Sequence, residues 1–167
     1  AMLNKEFDLE LLNYASAEAQ LANLADDIAY LSHDFDDGLR AGLFDLDDIS
    51  DLPQVSEALD DIKQRYGAVD LGRTTHEMVR RLISVFVEDL LFVSSQNFAS
   101  EDLTTADDIR KIGRPLVAFS ASMKEDLNRL KEFLFRRMWR HYKVNRMTSW
   151  AKRMVTDLFD LFMSETN

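Results

Sequence analysis

The sequence predicts an all-α protein, a helical bundle, for two reasons. Its 167 residues include only five Gly and two Pro, the residues that most often end helices and form tight turns. Apolar side chains also recur at spacings of three and four residues over residues 79–93, as one face of an α-helix requires. Because 46% of the residues are hydrophobic, we expect one helical domain over residues 1–167 with a core of its own.

Cap and stop signals divide the chain into successive helices, with a short amphipathic lead-in over residues 3–13 and a short extended piece over residues 116–119. The first predicted helix runs from an N-cap at Ser16 to about Ala41, with Gly42 as the stop, and the second runs from Pro53 to about Tyr66 after a cap at Ser50 or Asp51. The third runs from Gly72 or Thr74 to about Asn97, and the fourth covers Ala106 to Ile112 after a Thr105 cap. The last two run from Ser120 or Ser122 through Tyr142 and from Thr148 through Phe162.

The periodic apolar residues of three helices are the predicted core positions. In the third helix these are Val79, Leu82, Ile83, Phe86, Leu90 and Val93, with Met78 and Phe92 also expected to pack. In the helix that starts at Ser120 or Ser122 the apolar stripe is Leu127, Leu130, Phe133, Leu134, Met138 and Tyr142. In the last helix they are Met154, Leu158, Leu161 and Phe162, all expected to point inward.

The composition excludes several classes of site. No cysteine is present, so disulfides and thiolate zinc sites are excluded, and we expect a cytoplasmic protein. Charged residues interrupt every apolar run, so the sequence predicts neither a membrane span nor a signal peptide. No Gly-x-Ser-x-Gly or phosphate-loop motif indicates a nucleophilic serine or a nucleotide-binding loop.

Charge is distributed unevenly along the chain. Residues 1–109 hold 7 Lys and Arg against 24 Asp and Glu, whereas residues 110–153 hold 13 against 3. The acidic and basic parts should attract each other, and the basic part could hold a compact anion such as a triphosphate. The overall net charge of −10 argues against general nucleic-acid binding. Nucleic-acid binding through residues 110–153 remains an alternative, although no base-reading motif supports it.

One helix face carries the most informative pattern. Asp26, Tyr30 and Asp34 are four residues apart, and each step of four turns a helix by only about 40°, so they line one stripe. Two carboxylates and a phenol on one face, with small alanines beside them, could form one wall of a polar pocket. The alternative is a solvated acidic face.

Several separate segments resemble, in order, the bacterial deoxyguanosinetriphosphate triphosphohydrolase-like proteins, which are HD-domain metal-dependent phosphohydrolases. Together these segments cover nearly the whole chain. The matching residues are Glu18–Gln20, Leu24–Tyr30, His33–Asp34, Asp36–Phe44, His76–Glu77 with Val79–Ile83, Gly113–Ser120, and Lys131 with Phe133–Phe135 and Met138–His141.

The resemblance implies roles for the Asp26 stripe. In that family a histidine, a later His-Asp pair and a still later aspartate hold one metal, and Asp26 matches the last aspartate. Tyr30 and Asp34 would then hydrogen-bond the 3'-hydroxyl of a bound deoxyribose. The other metal ligands lie upstream in the family, so we expect this chain to be the C-terminal part of a larger enzyme and to be inactive alone.

The resemblance also bears on three other side chains. His33-Asp34 is the only His-Asp dipeptide, yet it follows the metal aspartate, so we interpret it as unrelated to the metal pair and His33 as a half-exposed helix residue. Lys131 matches a basic residue that faces the triphosphate; the alternative is a solvated lysine. Trp139 stands where the family usually has a tyrosine near the substrate; the alternative is a core position.

The implied reaction is hydrolysis of a deoxynucleoside triphosphate to the deoxynucleoside and tripolyphosphate. It would use a divalent metal, Mn, Mg, Fe or Zn, bound in the full-length protein rather than in this part of it. We expect a homo-oligomer and no membrane partner. The competing hypothesis is a helical interaction module without enzymatic activity.

Overall fold

A computed structural model describes residue 7 and residues 13–50, 52–67 and 70–164, and every regular element among them is helical. The predicted all-α class is confirmed. The predicted lead-in over residues 3–13 lies outside the described residues except for Phe7 and Asn13. The helices are α1 (Ala17–Arg40), α2 (Pro53–Tyr66), α3 (Leu71–Ala99), α4 (Ala106–Lys111), α5 (Ala121–Leu134) and α6 (Tyr142–Ser164), with a 3₁₀ turn at Asp47–Ile49 and a π-helical turn at Phe135–Trp139.

Three of the six described α-helices start after a predicted cap residue, whereas α3 starts at Leu71 after an Asp70 cap rather than at Gly72 or Thr74. The Ser16 hydroxyl accepts a hydrogen bond from the Ala19 amide, and Ser120 caps α5 in the same way. Thr105 and Asp108 form a reciprocal capping box at α4. The Asp108 carboxylate accepts backbone hydrogen bonds from Thr105 and Thr104, and these lower its pKa.

The start of α2 differs from the prediction. Its N-cap is Leu52, whose side chain makes no capping hydrogen bond, so Ser50 does not cap this helix. Asp51 lies outside the described residues. Pro53 occupies the first helical position as expected, because that position needs no backbone N–H donor. Gly67, with φ of 67°, ends the helix in a conformation that suits glycine.

The core lies where α3 packs against α1 and α2. The buried face of α3 advances by four residues at a time through Met78, Leu82, Phe86 and Leu90. The fully buried side chains from the other elements include Leu31, Phe35, Ile49, Val55, Leu116 and Leu134.

The predicted core of α3 is wrong at two positions. Ile83 is 38% exposed and Phe92 is 64% exposed. The neighbouring helices cover only one side of α3, so a spacing of four selects the buried face. Ile83 lies instead with Val87 and Leu91, at a spacing of four residues, in a second apolar stripe that is exposed.

By length and composition alone, α3 is the one helix in the described part of the chain that is long and apolar enough to cross a membrane. It carries Glu88 and Asp89 near its middle, and one of its faces packs against α1 and α2.

The irregular segment 115–120 is held by side chains from two helices. The Gln20 side-chain oxygen accepts hydrogen bonds from the amides of Leu116 and Val117, at 2.9 and 3.2 Å. From α3, Asn97, Ser94 and Asp89 bind the Leu116 carbonyl, the Ala118 amide and the Ser120 amide, respectively. These bonds satisfy backbone groups that have no helix or sheet partner. The segment therefore enters α5 in a fixed position.

The last two predicted helices are divided differently in the structure. The helix that starts at Ala121 ends in the π-helical turn, and the last helix starts at Tyr142 rather than Thr148. Tyr142 is 68% exposed and so is not part of the α5 stripe. The four residues of α6 predicted to point inward are all exposed, by 45 to 68%. The physical reason is that α6 extends away from the bundle and contacts mainly the π-helical turn.

We predict that Gln20→Ala lowers the free energy of unfolding by about 1–3 kcal/mol, because it leaves two partly buried amides without their acceptor. Urea denaturation followed by circular dichroism measures this change. The matched control is Asn23→Ala, an exposed residue on the same helix, for which we expect a change within about 0.5 kcal/mol. Equal effects of the two variants would contradict the anchoring role of Gln20.

Candidate functional site

Three of the predicted site residues meet between α1 and the π-helical turn. The Trp139 indole N–H donates a hydrogen bond to Oδ2 of Asp34. The rings of Tyr30 and Trp139 lie 5.7 Å apart between centroids, at an interplanar angle of 49°. Trp139 and Asp34 are partly buried, whereas Tyr30 is 55% exposed. The Asp34 carboxylate and the rings of Tyr30 and Trp139 thus form one wall that solvent can reach, which we call the Tyr30 wall.

The π-helical turn places Trp139 in this wall. The Arg140 amide bonds to the carbonyl of Phe135, five residues earlier, at 3.0 Å. This wider turn rotates the residues that follow it relative to a regular α-helix. The ring of Phe135 also packs edge-on against Trp139, with centroids 6.3 Å apart. The indole is therefore held on one side by Phe135 and on the other by α1.

The pKa of Tyr30 is raised from its ordinary value. Partial burial is the largest cause, and the charge and hydrogen bond of Asp34 add to it. At neutral pH the phenol is therefore protonated and can donate a hydrogen bond. Asp34 thus accepts hydrogen bonds from Tyr30 and from the Trp139 indole, and a carboxylate has further lone pairs that can accept another.

Lys131 lies on a neighbouring part of the same helix pair. Its ammonium group forms an ion pair with Asp27, with 3.0 Å between Nζ and Oδ2. It lines a cleft of about 570 Å³ between α1 and α5, together with Asn23, Lys124 and Asn128. Asp27 immediately precedes the turn of α1 that carries Tyr30, so the cleft and the Tyr30 wall are adjacent along α1.

Asp26 lies on the exposed side of α1. Its carboxylate makes no hydrogen bond or ion pair with the described residues. Within the described part of the chain, no three His, Cys, Asp or Glu side chains are close enough together to hold a metal ion. One carboxylate does not form a metal site, so these residues alone do not fit a metal.

His33 is exposed and lines an apolar cavity of about 320 Å³ between α1 and α3. Ala29 and Ala25 line the same cavity, one and two turns before His33 on α1. The hydroxyl of Ser32 is buried there and has no hydrogen-bond partner among the described residues. Asp26 thus lies between this apolar cavity on one side and the Tyr30 wall on the other.

Comparison with known proteins gives close matches over nearly the whole chain. A deoxyguanosinetriphosphate triphosphohydrolase-like protein of Parvibaculum lavamentivorans is 51% identical over 95% of this chain. Proteins of the same name from Caulobacter sp. strain K31 and Azorhizobium caulinodans are each 46% identical, over 96% and 94% of this chain. Residues 117–167 match the phosphohydrolase-associated domain family.

The resemblance predicted from the motifs is confirmed. The chain spans about two fifths of the length of these relatives, since it covers 40%, 41% and 39% of them in turn. The family match covers α5, the π-helical turn and α6, so Lys131 and Trp139 lie within it, whereas Asp26, Tyr30 and Asp34 lie outside it.

Sequence reasoning did not identify the residues that assemble this wall. Gln20 and Asp89 set the path into α5, yet a polar residue on a helix gives no local signal of a distant backbone partner. One indirect signal exists, because an aperiodic apolar segment such as Leu116–Phe119 must find backbone hydrogen-bond partners when it is buried. The ion pair of Asp27 with Lys131 joins residues 104 apart in the sequence, so spacing along one helix does not reveal it either.

We predict that Asp34→Asn lowers the pKa of Tyr30, because removal of the negative charge stabilises the phenolate. Burial remains in this variant, so the shift should be partial. Titration of the phenolate absorbance at alkaline pH measures this shift. Subtraction of the titration curve of Tyr30→Phe separates the Tyr30 signal from those of the other three of the four tyrosines.

The raised pKa of Tyr30 determines how the stability of the fold changes with pH. The folded state binds the phenolic proton more tightly, so stability is unaffected at neutral pH and falls as the pH rises above the ordinary tyrosine value. Tyr30→Phe should remove this part of the alkaline loss. An unchanged Tyr30 titration in Asp34→Asn would show that the carboxylate does not act on the phenol.

Proposed function

We propose that this chain is the C-terminal, substrate-side part of a metal-dependent deoxynucleoside triphosphate triphosphohydrolase. The reaction of the whole protein would release the deoxynucleoside and tripolyphosphate. The observation that supports this most directly is the convergence of Tyr30, Asp34 and Trp139 on one accessible wall. The names of the relatives, at 40–51% identity, support the same reaction class.

In this proposal Tyr30 and Asp34 bind the sugar. A 3'-hydroxyl group both donates and accepts hydrogen bonds, so it could enter the Tyr30–Asp34 hydrogen bond, accepting from the phenol and donating to the carboxylate. Trp139 is a positioning residue for Asp34, because its indole N–H donates to Oδ2 of the carboxylate. Its partly buried ring beside Tyr30 would also give the sugar or base an apolar surface.

Lys131 is the proposed phosphate contact. It is paired with Asp27, yet both side chains are more than one third exposed, and such ion pairs contribute little to stability. A polyphosphate chain carries more charge than one carboxylate and can displace Asp27 from the ammonium group. The nearby Lys124 would add to the positive charge of the cleft.

Asp26 is proposed as one ligand of a metal that the upstream part of the protein completes. The cavity beside it is lined by apolar side chains and holds the unpartnered hydroxyl of Ser32, as expected for a surface that another part of the protein covers. The relatives have more than half of their length outside the matched region. Packing of that part against α1 and α3 would bring its ligands toward Asp26.

A chimera tests the proposal. The matched region of the Parvibaculum lavamentivorans protein is replaced by this chain, and tripolyphosphate release from dGTP is measured with added divalent metal. We expect activity in the chimera and its loss in Asp26→Asn. Loss of one neutral hydrogen bond in Tyr30→Phe should reduce kcat/KM about 3- to 10-fold, and loss of the charged acceptor in Asp34→Asn about 10- to 100-fold.

The matched controls are Asp37→Asn and His33→Ala, which change exposed residues of the same helix. Both chimeras should keep nearly full activity, and the His33 variant separately tests the interpretation that His33-Asp34 is not the metal pair. Retained activity in Asp26→Asn, or an inactive chimera that is correctly folded, would overturn the proposal.

A helical interaction module is the second candidate, and the exposed apolar side of α6 favours it. In that case the chimera is inactive and Asp26→Asn, Tyr30→Phe and Asp34→Asn leave every association property unchanged. The expectations of a cytoplasmic location, a homo-oligomer, and no membrane or nucleic-acid partner stay predictions.

A further inference from the structure

The last helix presents an apolar side that the described part of the chain does not cover. All its described side chains are exposed except Val144, which is half-buried. The large apolar residues among them are 45 to 70% exposed and include Trp150 at 67%. A helix of 23 residues is about 35 Å long, and an amphipathic helix of that length depends on packing for most of its stability.

Five of the ten large exposed apolar residues form one stripe with a centre of symmetry. At 100° per residue, the stripe spans only about 80° of the helix circumference. Counted from Met154, the other members lie four and seven residues away on each side. The stripe consists of Met147, Trp150, Met154, Leu158 and Leu161.

The charged residues beside this stripe divide into a basic half and an acidic half. Arg146 and Arg153 precede Asp157 and Asp160, and all four lie on the same side of the stripe within about 60°. None of the four forms an ion pair with another described residue. The basic part that begins at residue 110 thus ends within this helix.

We propose that α6 pairs antiparallel with α6 of a second copy of this chain, about a twofold axis at Met154. In that register Met147 packs against the partner's Leu161, and Trp150 packs against the partner's Leu158. Antiparallel pairing also sets the same charged side of each helix against the other. A second copy fits this face, because a stripe that is symmetric about Met154 is complementary to itself.

The charges select the same register as the apolar stripe. Arg146 then lies opposite the partner's Asp160, and Arg153 lies opposite the partner's Asp157. The sequence positions 146 and 160 are centred on position 153, and positions 153 and 157 are centred on position 155. Each centre therefore lies one residue, or about 1.5 Å along the helix axis, from the axis at Met154. A parallel pair would instead set this charged side against the opposite, uncharged side of the partner's stripe, which carries Thr148, Ala151 and Val155, so these ion pairs would be lost.

The interface is of modest size. Two copies of the stripe and its flanking residues would bury on the order of 1,000 Å², near the lower limit for a specific protein interface. The pairing should therefore depend on protein concentration, and it should weaken at high salt because its charge pairs are exposed. This proposal does not depend on the proposed enzymatic function, since it uses no residue of the Tyr30 wall.

Disulfide crosslinking of the present chain tests the proposal, because the chain has no cysteine of its own. Met154→Cys should form a disulfide-linked dimer under mild oxidation, since this position meets itself at the axis. The matched control is Thr156→Cys, two residues further along and on the opposite face, where the hydroxyl bonds only within its own helix. We expect little dimer from this control.

Two further cysteine variants determine the direction of the pair. Met147→Cys alone should remain monomeric on a non-reducing gel, as should Leu161→Cys alone, whereas a mixture of the two should crosslink. Self-crosslinking of Met147→Cys would indicate a parallel pair and would overturn the proposal. Equal crosslinking of Met154→Cys and Thr156→Cys would overturn it as well.

Light scattering gives an independent measurement on the uncrosslinked chain. The mass should approach twice the 19.3 kDa of one chain at high concentration. Met154→Asp with Leu158→Asp should give a monomer, and Arg153→Glu should weaken dimerisation while the added change Asp157→Arg restores it. A monomer at all concentrations, or a dimer that persists in the double aspartate variant, would exclude this interface. The α-helical circular dichroism signal of each variant checks that the body remains folded.

Discussion

The fold depends on how one buried irregular segment satisfies its backbone groups. Residues 115–119 have no helical hydrogen bonds of their own, and Leu116 is completely buried. Gln20 from α1 and Asn97, Ser94 and Asp89 from α3 bind the backbone of this segment directly. An unpaired buried backbone group costs about 1–3 kcal/mol, so the segment has little freedom to move relative to either helix.

The position of α5, and hence of the candidate site, follows from that constraint. Asp89 binds the amide and the hydroxyl of Ser120, while the same hydroxyl accepts the Met123 amide at the start of α5. The helix therefore leaves its anchor on a path beside α1, where Lys131 reaches Asp27. Further along, the π-helical turn re-aims the chain so that Trp139 reaches Asp34. The wall is thus built from two distant parts of the chain that meet through backbone anchoring.

The sequence predicted the features that local chemistry decides. Ser16, Thr105 and Ser120 cap helices because a hydroxyl beside the first turn finds amide donors within three residues. The π-helical turn and the start of α6 at Tyr142 could not be predicted in this way, since no Gly or Pro marks the break near Arg140. The Asp26 stripe was predictable from spacing, whereas its contact with Trp139 joins residues 105 apart in the sequence.

The errors in the predicted core have one physical origin. Helical periodicity shows which face of a helix is apolar, but it does not show what covers that face. Phe92 and Leu158 belong to apolar patterns of the kind that produces buried residues, yet each is about half exposed or more. Both lie on faces that α1, α2 and α5 do not reach. Large exposed apolar patches are uncommon on proteins that act alone. We therefore expect such faces to pack against another part of the protein or against another molecule.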